Sequence, residues 1–269
     1  MRNPLASLTR RETVNVLRLE GVIGGAARFG ATSLTDASLA PLIEAAFRRK
    51  PRAVAIAINS PGGSPAQSSL IAARIRRLAD EKSVPVHAFV EDVAASGGYW
   101  LATAADRIHV DANSILGSIG VISASFGFQE LLARHGIERR VHTAGEDKSL
   151  LDPFRPERAE DIERLERLQA QIHRNFIEQV RARRGDRLSG ENLFTGDIWL
   201  GQAAVETGLA DDIGHLVPVM RSLFGEKIRF RPISRGRPLL RRLGLPGIGE
   251  ALGHVEERAL WSRFGLGAP

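Results

Sequence analysis

Asp92-Val93-Ala94-Ala95-Ser96-Gly97-Gly98-Tyr99-Trp100 is the stretch from which the fold of this chain is best inferred. It follows an apolar run at residues 84–90 that is typical of a buried strand, and it opens a helical pattern. A serine between small residues at such a strand-to-helix turn has an exposed hydroxyl and free backbone N–H groups beside it. That arrangement suits a nucleophile whose attack creates an oxyanion near a helix N-terminus, so Ser96 is a candidate reactive residue.

A second glycine turn strengthens this interpretation. The apolar run at residues 53–58 is long enough for a buried parallel strand and leads directly into Asn-Ser-Pro-Gly-Gly-Ser at residues 59–64. Glycine lets the backbone turn sharply and bring an N–H group close to a ligand. Gly63 is therefore a candidate for one arm of an oxyanion hole, although an ordinary strand-to-helix turn has the same composition.

Strand-like and helix-like patterns alternate along the chain. Short apolar runs predict strands at residues 13–19, 53–58, 84–90, 107–110 and 139–143. Apolar residues at helical spacing predict helices at 35–49 with Thr35 as the N-cap, through 70–78, at 128–135, and at 155–184 with Gly185 ending the last. Such alternation implies an α/β fold in which a largely parallel sheet is flanked by helices.

The composition is that of an ordinary globular protein, and 269 residues can bury a substantial core. Cysteine is absent, which excludes disulfides, thiolate metal sites and a cysteine nucleophile. No run of about 18 apolar residues, as a membrane-spanning helix requires, occurs in the sequence, and residues 1–12 lack the apolar core of a secretory signal. We therefore expect a cytoplasmic protein.

The net charge of +6 is concentrated towards the C-terminus. Residues 221–242 contain eight Arg or Lys residues and one Glu, with Phe and Leu residues between them. This segment suits a peripheral contact with the anionic surface of the inner membrane, but a solvated face or a subunit contact has the same composition. Nucleic acid is not expected as a partner, because no stacking pattern or binding motif accompanies the charge. We divide the chain into a main domain, 1–225, and a basic C-terminal extension, 226–269.

The base that would activate a nucleophilic serine is harder to identify. His87 and His173 fall within a predicted strand and a predicted helix, where a structural role is the simpler explanation. Lys148 differs, because it lies in a loop directly after a predicted strand. A lysine buried near a serine can have a lowered pKa and act as a general base, but a loop lysine is commonly a surface residue. The adjacent Glu146 and Asp147 would raise its pKa unless both point into solvent.

Four motifs occur in order along the chain. They are Asn-Ser-Pro-Gly-Gly-Ser at residues 59–64, Ala-Ala-Ser-Gly-Gly-Tyr-Trp at 94–100, Gly-Ser-Ile-Gly-Val-Ile at 117–122, and Lys148. Together with residues 194–196 and 206–211, they resemble the SppA-type signal peptide peptidases (protease IV) over residues 14–211. The resemblance implies a ClpP/crotonase-like fold of repeated ββα units and a serine–lysine peptidase without metal or cofactor. It also implies peptide substrates and a homo-oligomer.

The same resemblance implies a role for each matching residue. Ser96 corresponds to the nucleophile and Lys148 to the general base, while Ser118 corresponds to the serine that hydrogen-bonds and orients the lysine. The backbone N–H groups of Gly63 and Gly97 correspond to the pair that holds the oxyanion. Two alternatives share the fold: a crotonase-type acyl-CoA enzyme and a catalytically silent, membrane-associated scaffold.

Overall fold

A computed structural model describes residues 12–24, 34–145, 148–234 and 260–265. The strands in this part of the chain are β1 Thr13–Glu20, β2 Ala53–Ser60, β3 Val86–Ala95, β4 Arg107–Val110, β5 Ile115–Gly117, β6 Ile198–Leu200, β7 Asp212–Ile213 and β8 Arg229–Ile233. Its α-helices are α1 Asp36–Phe47, α2 Pro65–Lys82, α3 Gly97–Ala102, α4 Gln129–Arg134, α5 Ala159–Arg184, α6 Gly201–Glu206 and α7 Leu216–Phe224. A 3₁₀ turn, Gly185–Arg187, follows α5.

The eight strands form one sheet in the order β6-β5-β3-β2-β1-β8, with β4 beside β3 and β7 beside β4. Every pair is parallel except β5 with β6. Parallel neighbours need crossover connections, which helices such as α1 and α2 supply. The predicted α/β fold, with a largely parallel sheet flanked by helices, is confirmed.

The central strands β2 and β3 are buried on both faces of the sheet, to which their successive side chains point in turn. The larger core contains Ala88 of β3 and receives apolar residues from α1, α2, α3 and α5. The smaller core contains the next residue, Phe89, and is covered by α7 through Met220. The central strands therefore read as continuous apolar runs rather than as alternating ones.

Local signals in the sequence set the ends of two helices. Thr35 caps α1 as predicted: its hydroxyl accepts the N–H of Ser38, and the Ser38 hydroxyl accepts the N–H of Thr35, each at 3.2 Å. Gly185 ends α5, also as predicted. The helix begins later than the predicted residue 155, because Pro156 disfavours a helical conformation in the residue before it.

The strand predicted at residues 139–143 does not form, and that prediction was wrong. These residues lie in an irregular and mostly exposed segment between α4 and α5. Arg139 pairs with Asp152 at 3.3 Å, and Arg140 pairs with Glu138 at 2.7 Å. A strand needs a neighbouring strand to satisfy its backbone groups, and the local sequence pattern contains no information about whether one is near.

Part of the predicted C-terminal extension belongs to the main sheet. Strand β8 pairs in parallel with β1, from Thr13 with Arg229 to Leu17 with Ile233. The basic residues at 235–242 lie outside the described residues, so their contact with a membrane stays a prediction, as does the domain boundary at 225. Of the helices that are described, none combines the length and the apolar character needed to cross a bilayer.

Candidate active site

Ser96 stands at the sharp turn between β3 and α3. Its backbone has φ 53° and ψ −122°, a conformation that residues with a side chain rarely adopt. The Ser96 N–H donates to the carbonyl of Gly117 at 2.8 Å, which fixes the turn against the end of β5. The side chain is half-buried, at the entrance to the first turn of a helix. This strained strand-to-helix turn presents the hydroxyl in the way expected of a nucleophile.

β3 reaches this turn because Asn59 supports its last residues. The Asn59 side chain donates to the Asp92 carboxylate at 2.7 Å and accepts the N–H of Val93 at 3.3 Å. The pairing of β2 with β3 shifts in register at the same place, between Ile58 and Ser60. The strand therefore continues beyond the predicted end at residue 90 and delivers the serine to the edge of the sheet.

The Gly62–Gly63 turn lies directly against Ser96. A Cβ atom on Gly62 would stand 2.8 Å from the Ser96 Cβ and 3.0 Å from the Gly97 nitrogen, so only glycine fits there. Ile23 donates its N–H to Gly62 and accepts the N–H of Ser64, each at 2.8 Å. In a parallel bridge of this kind the N–H of the residue between, Gly63, points to the opposite side.

The amide of Gly63 lies close to Gly97. The Gly63 nitrogen lies 3.4 Å from the position that a Cβ on Gly97 would occupy. Gly97 is the first residue of α3, where backbone N–H groups have no partner within the helix. Backbone N–H groups close to a serine hydroxyl are the donors that an oxyanion site needs, so the two glycines stay candidates for it.

The structure also brings Ser118 next to Ser96. The parallel register pairs Ala95 with Gly117, so the two serines follow at the ends of adjacent strands, which lie about 4.8 Å apart. Ser118 has φ 50°, and its N–H donates to the carbonyl of Asp197 at 2.6 Å. Its side chain is half-buried, as that of Ser96 is.

His173 of α5 contacts this site, and the sequence did not identify it. Its Nε2 donates to the carbonyl of Ile119 at 3.0 Å, one residue after Ser118. The bond ties the long helix to the turn that carries Ser118. Its position between the apolar residues Ile172 and Phe176 of a helical pattern gave no indication of this contact.

Lys148 lies on an exposed turn in the segment between α4 and α5. Its N–H donates to the carbonyl of Gly145 at 3.3 Å. Among the residues described, no hydrogen bond joins its ammonium group to Ser96 or Ser118. Glu146 and Asp147 lie outside the described residues. The structure thus brings together four of the five candidate residues, and the role of Lys148 remains a prediction.

The two buried histidines of the sheet cannot act on Ser96. His87 Nδ1 lies 3.0 Å from His109 Nε2, and His109 Nδ1 lies 2.5 Å from an oxygen of Asp212. His87 stands nine residues before Ser96 on the same strand, which corresponds to roughly 30 Å at about 3.3 Å per residue. The His87–His109–Asp212 chain is therefore a feature of the sheet and not of the candidate active site.

Because His87 is buried beside His109, we expect the protein to lose stability at acidic pH. Burial, and secondarily the neighbouring His109, lowers the pKa of His87 from 6.5 to about 4. The unfolded state binds more protons than the folded state between these values, so the free energy of unfolding falls by about 3 kcal/mol as the pH drops from about 6.5 to about 4. The variant His87→Gln has a neutral side chain that can still donate to His109. Its free energy of unfolding should therefore change less with pH than that of wild type. Urea denaturation at about pH 7 and about pH 5 measures the change in the free energy of unfolding for each protein.

His135→Gln, at an exposed position, is the control. An equal change in the free energy of unfolding with pH in wild type and in His87→Gln would contradict the prediction.

An open cleft of about 730 Å³ begins beside the Gly63 turn. Ser64 and Pro65 form one wall, and residues of α5, including Ile172, form the other. Trp100 closes it from α3, where its ring stacks on Phe176 with 4.9 Å between the centroids. Apolar and polar residues line the cleft, and its polar lining includes Asn175, Glu178 and Gln179 of α5.

A largely parallel sheet flanked by helices, with a serine at a sharp strand-to-helix turn, is an arrangement found in serine hydrolases, among them those with ClpP-like folds. The family model described as "Peptidase family S49" matches residues 79–227. This chain therefore belongs to peptidase family S49.

Three curated relatives illustrate the similarity. The chain is 49% identical over 273 residues to a protein of Brucella melitensis named Na(+)/H(+) antiporter NhaA, covering 94% of this chain and 37% of that protein. It is 31% identical over 214 residues to the chloroplastic serine protease SPPA of Arabidopsis thaliana, covering 77% of this chain and 31% of that protein. It is 30% identical over 180 residues to a putative signal peptide peptidase SppA of Enterococcus faecium, covering 65% and 51%. The chain thus spans about a third to about a half of the length of these relatives.

Solved structures share the fold at low sequence identity. A mutant of the 1510-N membrane-bound stomatin-specific protease aligns with a TM-score of 0.51 and 15% identity, covering 84% of this chain and 99% of that one. A second mutant of that protease, in complex with a substrate peptide, aligns with a TM-score of 0.51 and 14% identity, covering 84% and 94%. The predicted ClpP-like fold is confirmed.

Proposed function

We propose that this chain is a serine peptidase in which Ser96 is the nucleophile. The observation that carries the proposal is the strained turn at Ser96, which lies against the Gly62–Gly63 turn and the start of α3. A strained backbone at a residue with a reactive side chain is typical of a functional site. Membership of peptidase family S49 supports the same activity.

The chemistry would be acyl transfer in two stages. Neutral Lys148 would accept the proton of the Ser96 hydroxyl as Oγ attacks the peptide carbonyl, and the Gly63 and Gly97 amides would donate to the resulting oxyanion. The protonated lysine would then give its proton to the leaving amine, which leaves an ester on Ser96. Water, activated by the same lysine, would cleave that ester and restore the serine. Ser118 would orient the lysine by a hydrogen bond.

Apolar or unfolded peptides are the proposed substrates. The cleft beside Gly63 offers Trp100, Pro65 and Ile172 to an apolar side chain. The names of the curated relatives, a serine protease and a putative signal peptide peptidase, favour the same class. An extended, unfolded segment would suit such an open groove, because a folded protein keeps its peptide bonds inaccessible.

Lys148→Ala should lower kcat for an apolar fluorogenic peptide by about 10²- to 10⁴-fold, because general-base catalysis contributes that much. Lys148→Arg should be equally impaired, since arginine stays protonated. Lys82→Ala, at the exposed C-terminal end of α2, is the control for loss of one lysine and should cleave at the wild-type rate. Steady-state hydrolysis of the peptide and of unfolded casein gives these rates.

The outcomes separate the alternatives. Full activity of Lys148→Ala would remove this lysine from the mechanism and leave Ser96 with another base. An exposed Lys148 without a bond to Ser96 also fits the catalytically silent scaffold, and wild type that cleaves nothing in a broad peptide panel would favour it. Activity regained on mixing Ser96→Ala with Lys148→Ala would place the serine and lysine of one active site on different copies of the chain.

A further inference from the structure

The last described residues, 260–265, return to the strands that carry the candidate active site. Trp261 is 1% exposed and forms a cluster with Val93 and Ala95 of β3, against which Ile115 of β5 also packs. These residues lie on the face of the sheet opposite the larger core, where α7 covers the earlier part of β3. The indole therefore covers this face of the sheet at the ends of β3 and β5, beyond the part that α7 covers.

This contact lies directly beneath the reactive turn. Ala95 precedes Ser96, and the N–H of Ser96 donates to Gly117, the last residue of β5. One indole thus touches both strands whose ends carry the two candidate serines. Ala95 has only a methyl group as its side chain. The large ring of Trp261 therefore fills the space beneath this end of β3.

The shape of the indole, and not its polar atom, accounts for this position. Trp261 Nε1 is buried and has no hydrogen-bond partner within the described part of the chain. A buried N–H group without an acceptor destabilises a protein, so a hydrogen bond does not explain the presence of tryptophan. An aromatic ring of similar area without the N–H group should therefore serve as well.

We propose that Trp261 is a positioning residue for Ser96: by wedging beneath Val93, Ala95 and Ile115, it holds the ends of β3 and β5 in the register that aims the hydroxyl at the oxyanion site. The inference rests on the proposed function. A displacement of about 1 Å at a reacting group can lower a rate about 10²-fold. The C-terminal segment would then set the catalytic rate without contacting the substrate.

The experiment measures how fast a fluorophosphonate probe labels Ser96 in full-length protein. In this reaction an Oγ–P bond forms, the P–F bond breaks, fluoride leaves and the hydroxyl proton passes to the base. Trp261→Ala should slow labelling at least about tenfold, and hydrolysis should show a lower kcat with KM nearly unchanged. Trp261→Phe should label at close to the wild-type rate. Met220→Ala, which truncates a fully buried side chain of α7, is the control for a general loss of stability.

All rates are measured well below the melting temperature of each variant. Slow labelling of Trp261→Ala, with rescue in Trp261→Phe and a near-normal rate in Met220→Ala, supports the inference. Wild-type labelling of Trp261→Ala overturns it, and so does an equal decrease in Met220→Ala. If Trp261→Ala does not fold, Phe264→Ala, which removes a half-buried neighbour of the ring, carries the same comparison. Wild type that neither labels nor cleaves peptides contradicts the proposed function instead.

Discussion

Ser96→Ala is expected to abolish peptide hydrolysis, lowering kcat by at least about 10⁴-fold, while the protein stays folded. The reason is chemical: the variant keeps the two amide donors and loses the atom that forms the acyl-enzyme. Ser96→Gly should be equally inactive but more stable than Ser96→Ala by about 1 kcal/mol, because glycine adopts φ 53° and ψ −122° without strain. A fluorogenic peptide assay and urea denaturation measure the two effects.

A matched position controls for the unusual backbone. Ser83 also has a positive φ, 50°, and lies exposed at the C-terminal end of α2. Ser83→Ala should therefore leave hydrolysis unchanged. Residual cleavage by Ser96→Ala above about one thousandth of the wild-type rate would show that another group attacks the substrate. A Ser96→Gly variant that is less stable than Ser96→Ala would show that the turn is not strained.

Gly63→Ala is expected to damage both the fold and the activity. The new Cβ atom would stand 2.1 Å from the carbonyl oxygen of Ile23, and φ 140° is a value that residues with side chains rarely adopt. Backbone cannot yield as a flexible side chain does, so the free energy of unfolding should fall by about 3 kcal/mol or more. The shift would also turn the amide away from the oxyanion, with a further loss in kcat of about 10²- to 10³-fold.

Gly136 provides the comparison for this substitution. It has φ 65°, and a Cβ atom there would meet nothing within 4 Å. Gly136→Ala should therefore show only the strain of a positive φ, about 1 kcal/mol, and full activity. Denaturation and steady-state kinetics of both variants separate the clash from the strain. Equal loss of activity in the two would argue against Gly63 as an oxyanion donor.

The sequence predicted best those features that depend on near neighbours. The apolar runs at 53–58 and 107–110 correspond to strands, and the Thr35 cap and the Gly185 stop depend on residues within one helical turn. The resemblance, and not the pattern of the residues, linked Gly63 with Gly97. In the structure the turns at 62–63 and 97–98 pack so closely that there is no room for a Cβ atom.

Features that depend on distant partners could not be predicted. The strand predicted at residues 84–90 stops before the observed end of β3 at Ala95, because Glu91 and Asp92 interrupt the apolar run. In the fold, Glu91 pairs with Arg18 of β1 at 2.7 Å and Asp92 accepts the amide of Asn59, which allows both charges within a strand. The partner of His109, Asp212, lies 103 residues further along the chain. The roles assigned to Lys148 and to the two serines stay predictions that the kinetic experiments test.

Strand β8 also protects an edge of the sheet. In the described part of the chain it ends the sheet, where an open edge can recruit another strand and start aggregation. Pro232 has no N–H to offer, and Arg229 and Arg231 add like charges that repel a second identical edge. Without β8, strand β1, whose apolar residues include Val14, Leu17 and Leu19, would become that edge. The pairing of Leu17 with Ile233 thus keeps the backbone groups of β1 bonded within a single molecule.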